Sequence, residues 1–174
     1  MDTERPRLDR PLFEVVLVEP EIPNNTGNIG RTCVAAGCRL HLVHPLGFDI
    51  SEKACRRAGL DYWPRLDLRE HASWNSCAMT MPPQRAWLFT TKAERSLYEV
   101  PLRRGDFLIF GKETKGLPPE TIAAYPGRGL RLPMLPEERS LNLATVVCAA
   151  VYEGLRQCAA RGELTIDERG EIRL

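Results

Sequence analysis

The chain has 174 residues, 43% of them hydrophobic and 27% charged, which suits one soluble domain with a sizeable core. Its formal net charge is +1, so composition alone gives no sign of nucleic acid, and an RNA surface would have to come from local basic clusters such as Arg56-Arg57 or Arg103-Arg104. Neither pair is distinctive by itself, since a solvated face explains it as simply.

Residues 1–11 read as a polar tail without the apolar stretch of a signal peptide. Phe13 to Glu19, rich in Val, reads as a first strand. A polar loop is expected over Pro20 to Asn28, then a helix to Ala36 that Gly37 can end in the left-handed conformation. Arg39 to His44 reads as a second strand, broken by Pro45 and Gly47, and Ser51 can cap a helix running to Ala58. Tyr62 to Pro83 is ambiguous, with one helix expected around Glu70 to Cys77. Ala86 to Thr90, Asp106 to Phe110 and Leu130 to Met134 look like buried strands, each running into a polar or Pro-containing loop.

A last helix is expected over Leu143 to Cys158, with Ala144, Val147, Cys148, Val151, Tyr152 and Leu155 on one face. That stripe reads as core packing, with part of it available to a second subunit. Beyond it, Leu164, Ile166, Ile172 and Leu174 alternate with charged residues, as in a hairpin or a frayed tail. The expectation is therefore an α/β fold with a mainly parallel sheet, one domain over residues 12–158 and an extension over 159–174.

The six cysteines form no Cys-x-x-Cys pair and stand at no metal spacing with His41, His44 or His71, so they read as reduced core residues of a cytoplasmic protein and no metal is expected. No apolar run is long enough to span a bilayer.

Ligands of α/β sheets bind at loops leaving the carboxyl ends of strands. Three such loops have unusual composition here: Pro23-Asn24-Asn25-Thr26-Gly27-Asn28-Ile29-Gly30-Arg31, Phe110-Gly111-Lys112-Glu113-Thr114-Lys115-Gly116-Leu117-Pro118, and Pro133 to Leu143 with Arg139-Ser140-Leu141-Asn142-Leu143. There is no Gly-x-Gly-x-x-Gly after the first strand, no P-loop ending and no Gly-x-Ser-x-Gly elbow. These absences argue against dinucleotide binding, NTP hydrolysis and a hydrolase triad. What remains are backbone amides and small polar groups suited to adenine and ribose without a phosphate cradle.

At these loops the sequence resembles the SPOUT (α/β-knot) methyltransferases, and within them the small tRNA wobble 2′-O-methyltransferases. The resemblance runs through Glu19-Pro20-Glu21-Ile22-Pro23, Asn25-Thr26-Gly27-Asn28-Ile29, Arg31, Arg56-Arg57-Ala58-Gly59-Leu60-Asp61-Tyr62, Phe89-Thr90-Thr91-Lys92, Gly111, Glu113-Thr114, Gly116-Leu117-Pro118, Leu132-Pro133-Met134, Arg139-Ser140 and Asn142-Leu143. It departs at Lys112, Lys115 and Ala144, where Pro, Arg and Ser are usual.

The resemblance implies a Rossmann-like N-terminal half, a C-terminal trefoil knot, a homodimer, S-adenosyl-L-methionine as cofactor and the anticodon region of tRNA as partner. It assigns the cofactor to Phe89, Gly111, Leu132, Met134, Ser140 and Leu141, and the catalytic work to Arg31, Asn25, Glu113 and Asn142. The family's proposal of this arginine as general base is chemically awkward, because a guanidinium stays protonated. Gripping a phosphate and stabilising the developing alkoxide suits Arg31 better. Plainer readings stand beside these roles: Asn142 and Ser140 as helix caps, Asn25 in a turn, Glu113 paired with Lys112 or Lys115, Gly111 as a strand terminator. The alternatives in function are a ribosomal-RNA 2′-O-methyltransferase, a non-catalytic RNA-binding or assembly protein on the same fold, and a plain nucleotide-binding module. An early start of the fold and the retention of Arg31, Glu113, Ser140 and Asn142 favour the tRNA enzyme.

Overall fold

The structure, a computed structural model, describes residues 8–174, and the Glu52 and Arg56 side chains lie outside the described part. The expected tail is thus described only from Leu8, and of the Arg56-Arg57 cluster only the exposed Arg57 side chain is described. In the second cluster, Arg104 is tied down, its guanidinium donating to the Arg10 carbonyl.

Six parallel strands form one sheet in the order β3-β2-β1-β5-β4-β6: β1 Phe13–Val18, β2 Arg39–Val43, β3 Leu68–His71, β4 Ala86–Phe89, β5 Asp106–Phe110 and β6 Gly129–Leu130. β1 and β5 are buried along their whole length, which is why they read as continuous apolar runs rather than alternating ones. Side chains still alternate between faces. Phe13, Val15 and Leu17 join Leu40, Leu42, Leu108 and Phe110 in one core, while Val16 and Val18 join Val43, Leu88, Phe107 and Ile109 in another.

Helices α1 (Pro23–Ala36) and α5 (Leu143–Ala160) contribute to the first core; α2 spans Glu52–Arg57, α3 Trp74–Ala78 and α4 Pro119–Ala123. On α5, Gly154 lets the helix lie against β1, because an added Cβ would stand 2.3 Å from Phe13 Cζ and 2.6 Å from Cε2. Phe13 is itself fully buried. Gly154→Ala should therefore cost about 1–3 kcal/mol through overpacking, read as a lower midpoint in denaturant. An unchanged midpoint would show that Phe13 has somewhere to go.

Several sequence expectations are corrected. The loop expected over Pro20 to Asn28 is helical from Pro23. Pro at the first helical position starts the helix, and packing of Asn25, Thr26 and Gly27 into the interior overrides their weak helix propensity. The helix expected to begin at Glu70 is instead β3 followed by the short α3, whose N-cap is Ser73. The strand expected over Leu130 to Met134 is only β6, with an isolated bridge at Arg131 and irregular chain from Leu132. On the α5 stripe, Val147, Val151 and Leu155 are buried within the chain, leaving Tyr152, 46% exposed, as the large apolar group facing outward. The extension forms a hairpin of β7 (Thr165–Ile166) and β8 (Ile172–Arg173), anchored by the buried Leu164.

Candidate functional site

The chain runs outward from β1 in one direction to β2 and β3, and in the other direction reaches β5, β4 and β6. The order reverses beside β1, and loops leaving neighbouring strands there must diverge and leave a crevice. At those carboxyl ends lies a cavity of about 610 Å³, a size that suits a ligand of a few tens of atoms. Its walls come from the loop after β4, the loop after β5 and the segment from Leu130 to Val146, with Ile22 and Asn25 from the start of α1. All six residues assigned to the cofactor lie on it: Phe89, Gly111, Leu132, Met134, Ser140 and Leu141. Asn25, Glu113 and Asn142 lie on it too.

Those three form one hydrogen-bonded chain. Asn142 Nδ2 donates to Asn25 Oδ1 at 3.0 Å, and Asn25 Nδ2 donates to Glu113 Oε1 at 2.9 Å. Asn142 Oδ1 accepts from the amides of Ala144 and Thr145, so it also caps α5. Ser140, a candidate for that cap, is not the capping residue. Glu113 is bound neither to Lys112 nor to Lys115. It accepts the amides of Glu21 at 2.9 Å and Ile22 at 3.3 Å. Ile22 is the N-cap of α1, lacks a capping side chain, and is followed by a first turn with no acid. Glu113 supplies both the missing acceptor and the missing negative charge from 92 residues away.

Two further links join the same loops. Thr114 donates to Glu21 through its hydroxyl at 2.8 Å, which draws the Glu21 carboxyl below its ordinary range, and Lys112 Nζ lies 2.6 Å from Glu19 Oε2, which raises the lysine. The sequence alone assigns no role to Glu19 or Glu21. Their only signal there is acids in one loop facing Lys112 and Lys115 in another.

Gly111 is required by the backbone of its own loop. An added Cβ would stand 2.0 Å from the Gly116 carbonyl carbon and 2.2 Å from the Leu117 nitrogen. The loop folds back on itself there, closed by the Gly116 amide donating to the Lys112 carbonyl at 2.8 Å.

Arg31 is not brought to this cavity. It lies six residues beyond Asn25 on α1, about 9 Å along the axis and about 240° around it. It therefore lies beyond the first turn, where a cation does not oppose the helix dipole. Its guanidinium stacks 4.3 Å from the Tyr62 ring centroid and lies 3.8 Å from Asp61 Oδ1. Both ionic side chains are mostly exposed, so the pair is weak and easily exchanged for another anion. Tyr62 is buried and donates its hydroxyl to the Gly27 carbonyl, which fixes the platform.

No metal set was legible in the spacing, yet the fold brings His41, His71 and Cys77 together on the far side of the sheet. Among the described residues no helix is long and apolar enough to cross a membrane.

Comparison with known proteins gives a consistent result. Residues 12–152 match the SpoU rRNA Methylase family. A tRNA (cytidine(34)-2′-O)-methyltransferase of Saccharophagus degradans is 46% identical over 152 residues, covering 87% of this chain and 99% of that protein. A solved structure described as giving insights into the 2-OH methylation of C/U34 on tRNA is 47% identical, with a TM-score of 0.80 over 87% of this chain and 99% of that one. The SpoU methyltransferase AviRb of Streptomyces viridochromogenes, solved with AdoMet, shares the fold at 20% identity and a TM-score of 0.73, covering 90% of this chain and 61% of that one.

Proposed function

The chain belongs to the SpoU methylase family, and from that premise we propose that it methylates the 2′-hydroxyl of the tRNA wobble nucleotide, cytidine or uridine 34, using S-adenosyl-L-methionine. The observation that carries the reading is the cavity at the reversal of strand order, where the apolar Phe89, Leu130 and Leu132 stand beside the backbone of 111–117 and the Asn142–Asn25–Glu113 chain. These residues fit the cofactor: apolar walls for the adenine, amides for its edge, and no phosphate cradle. When bound, it supplies a methyl group on a cationic sulfur.

Methyl transfer to a hydroxyl is an in-line displacement, so the ribose oxygen must be held about 3 Å from its target. Asn25 and Asn142 already bind each other, which fixes their planes, and each amide keeps hydrogen-bonding capacity for a ribose. Glu113 acts as a positioning residue through the start of α1. Arg31, charged and held on Tyr62, suits the phosphate beside the target ribose and the charge that grows on its oxygen.

Arg31 faces away from its own chain's cavity, and this supports a homodimer in which the arginine serves the partner's site. Thr145, Ala149, Tyr152 and Arg156 line the outward face of α5 and offer part of such an interface. The trefoil knot and a cytoplasmic location belong to the same proposal. The convergence of loops leaving β4, β5 and β6 on one cavity supports the knot.

A ribosomal-RNA substrate is the second reading, favoured only by the family's name. Calorimetry with chelator-treated protein should give binding of S-adenosyl-L-methionine, or of its demethylated product, without added metal. No binding with or without tRNA would overturn the methyltransferase reading.

A further inference from the structure

The face of the sheet turned away from the cavity carries a second constellation of chemistry-bearing groups. His41 on β2 alternates with Leu40 and Leu42, which lie in the first core, and so points to the other side, where its ring meets Phe107. His71 at the end of β3 stacks against it, with ring centroids 5.1 Å apart. Cys77 on α3 closes the group: one ligand atom from each of the three lies within 4.8 Å of the others.

We propose that His41 Nδ1, His71 Nε2 and Cys77 Sγ form a binding site for a zinc-like divalent transition metal that ties α3 to the β2–β3 edge. Four observations carry this beyond proximity. The two imidazole nitrogens already face each other at 2.8 Å, and separating them to the roughly 3.3 Å of two tetrahedral zinc ligands needs about half an ångström of movement. The other nitrogen of His41 lies 2.8 Å from Glu14 Oε2, the carboxylate–histidine arrangement that fixes the tautomer and aims Nδ1 at a metal. Glu14 is itself held by Arg39 at 3.0 Å, and Arg39 by Asp67 at 2.8 Å, so the outer groups are rigid. The charges also close over the whole group: a divalent ion and the Arg39 guanidinium are matched by one thiolate and the Glu14 and Asp67 carboxylates.

Two imidazoles and one sulfur form a borderline-soft set suited to zinc or cobalt rather than magnesium or calcium. Cys77 is a free, buried thiol in the metal-free protein. The ion displaces its proton to solvent as the metal–sulfur bond forms, with no change of oxidation state.

The test is a titration of the full, reduced and chelator-stripped chain with Co²⁺, followed by absorbance. One equivalent should saturate a near-ultraviolet thiolate-to-cobalt band and visible ligand-field bands, with about one proton released per ion. Cys77→Ala should lose the near-ultraviolet band, and Glu14→Gln should bind about 10–100-fold more weakly. His71→Asn, at the half-buried edge, should also bind more weakly and provides the check if Cys77→Ala does not fold. Absence of the bands in the folded wild-type chain would overturn the site, as would their survival in Cys77→Ala or undiminished cobalt affinity in His71→Asn. Affinity for S-adenosyl-L-methionine should be the same in stripped and loaded protein, so a failure here is distinct from a failure of the methyltransferase reading.

Discussion

Arg31→Ala should lower methylation of an anticodon stem-loop by about 10²–10³-fold while leaving affinity for S-adenosyl-L-methionine within a few-fold. The magnitude is that of removing one donor aimed at developing negative charge. The separation of effects follows from geometry: Arg31 lies off the cavity on another face of α1, and its present partners are an exposed carboxylate and the Tyr62 ring. Arg31→Lys should recover little, because an ammonium lacks the planar fork that stacks on Tyr62 and grips a phosphate with two bonds. The measurement is single-turnover methylation beside calorimetry on the same preparations. Near-normal turnover in Arg31→Ala would remove this residue from the reaction altogether. A loss shared equally by turnover and cofactor binding would mean that the substitution has disturbed α1 as a whole.

Gly111→Ala should abolish cofactor binding, and a mixed dimer of Gly111→Ala with Arg31→Ala should recover about half of wild-type activity. The first effect is steric. A methyl group at position 111 would overlap backbone atoms of Gly116 and Leu117 at 2.0 and 2.2 Å, and backbone cannot rotate aside as a side chain can. The loop must open, and with it the wall that 111–117 gives the cavity. The sheet is expected to persist, since the change lies beyond β5. The second effect follows from sharing. In the mixed dimer, one site combines the intact loop of the Arg31→Ala subunit with Arg31 of the other. The two chains would carry different tags, and the doubly tagged species would be purified before assay. Activity no higher than either parent, in a dimer shown to be mixed, would mean that each subunit works with its own Arg31.

The legible parts of this chain were those set by local physics. Continuous Val-, Leu- and Phe-rich runs announced β1, β4 and β5, and Gly37, at φ 68°, ends α1 where the sequence places it. The start of α1 is not legible because its cap is not local: without Glu113, a Pro-Asn-Asn-Thr-Gly stretch is a loop by composition. β3, Leu-Arg-Glu-His, is an edge strand with one strand neighbour and a mixed burial pattern, so its alternation is faint. The cavity residues are legible only through likeness to a family. Their convergence from 89, 111 and 132 has no periodic signature. The His41–His71–Cys77 cluster is hidden for the same reason, since metal spacing along a sequence reveals only ligands that share a turn or a hairpin.

The carboxylate of Glu113 gives the start of α1 a consequence of its own. The helix that carries Arg31 is held at its first turn by a residue on the cavity wall, so neither can be displaced without straining the other. A ligand that stiffens the loop after β5 also narrows the range of angles open to α1, and an RNA that pulls on α1 acts back on the loop. Free energy shared in this way obeys linkage. By whatever factor the methyl donor tightens the hold on RNA, RNA must tighten the hold on the methyl donor by the same factor.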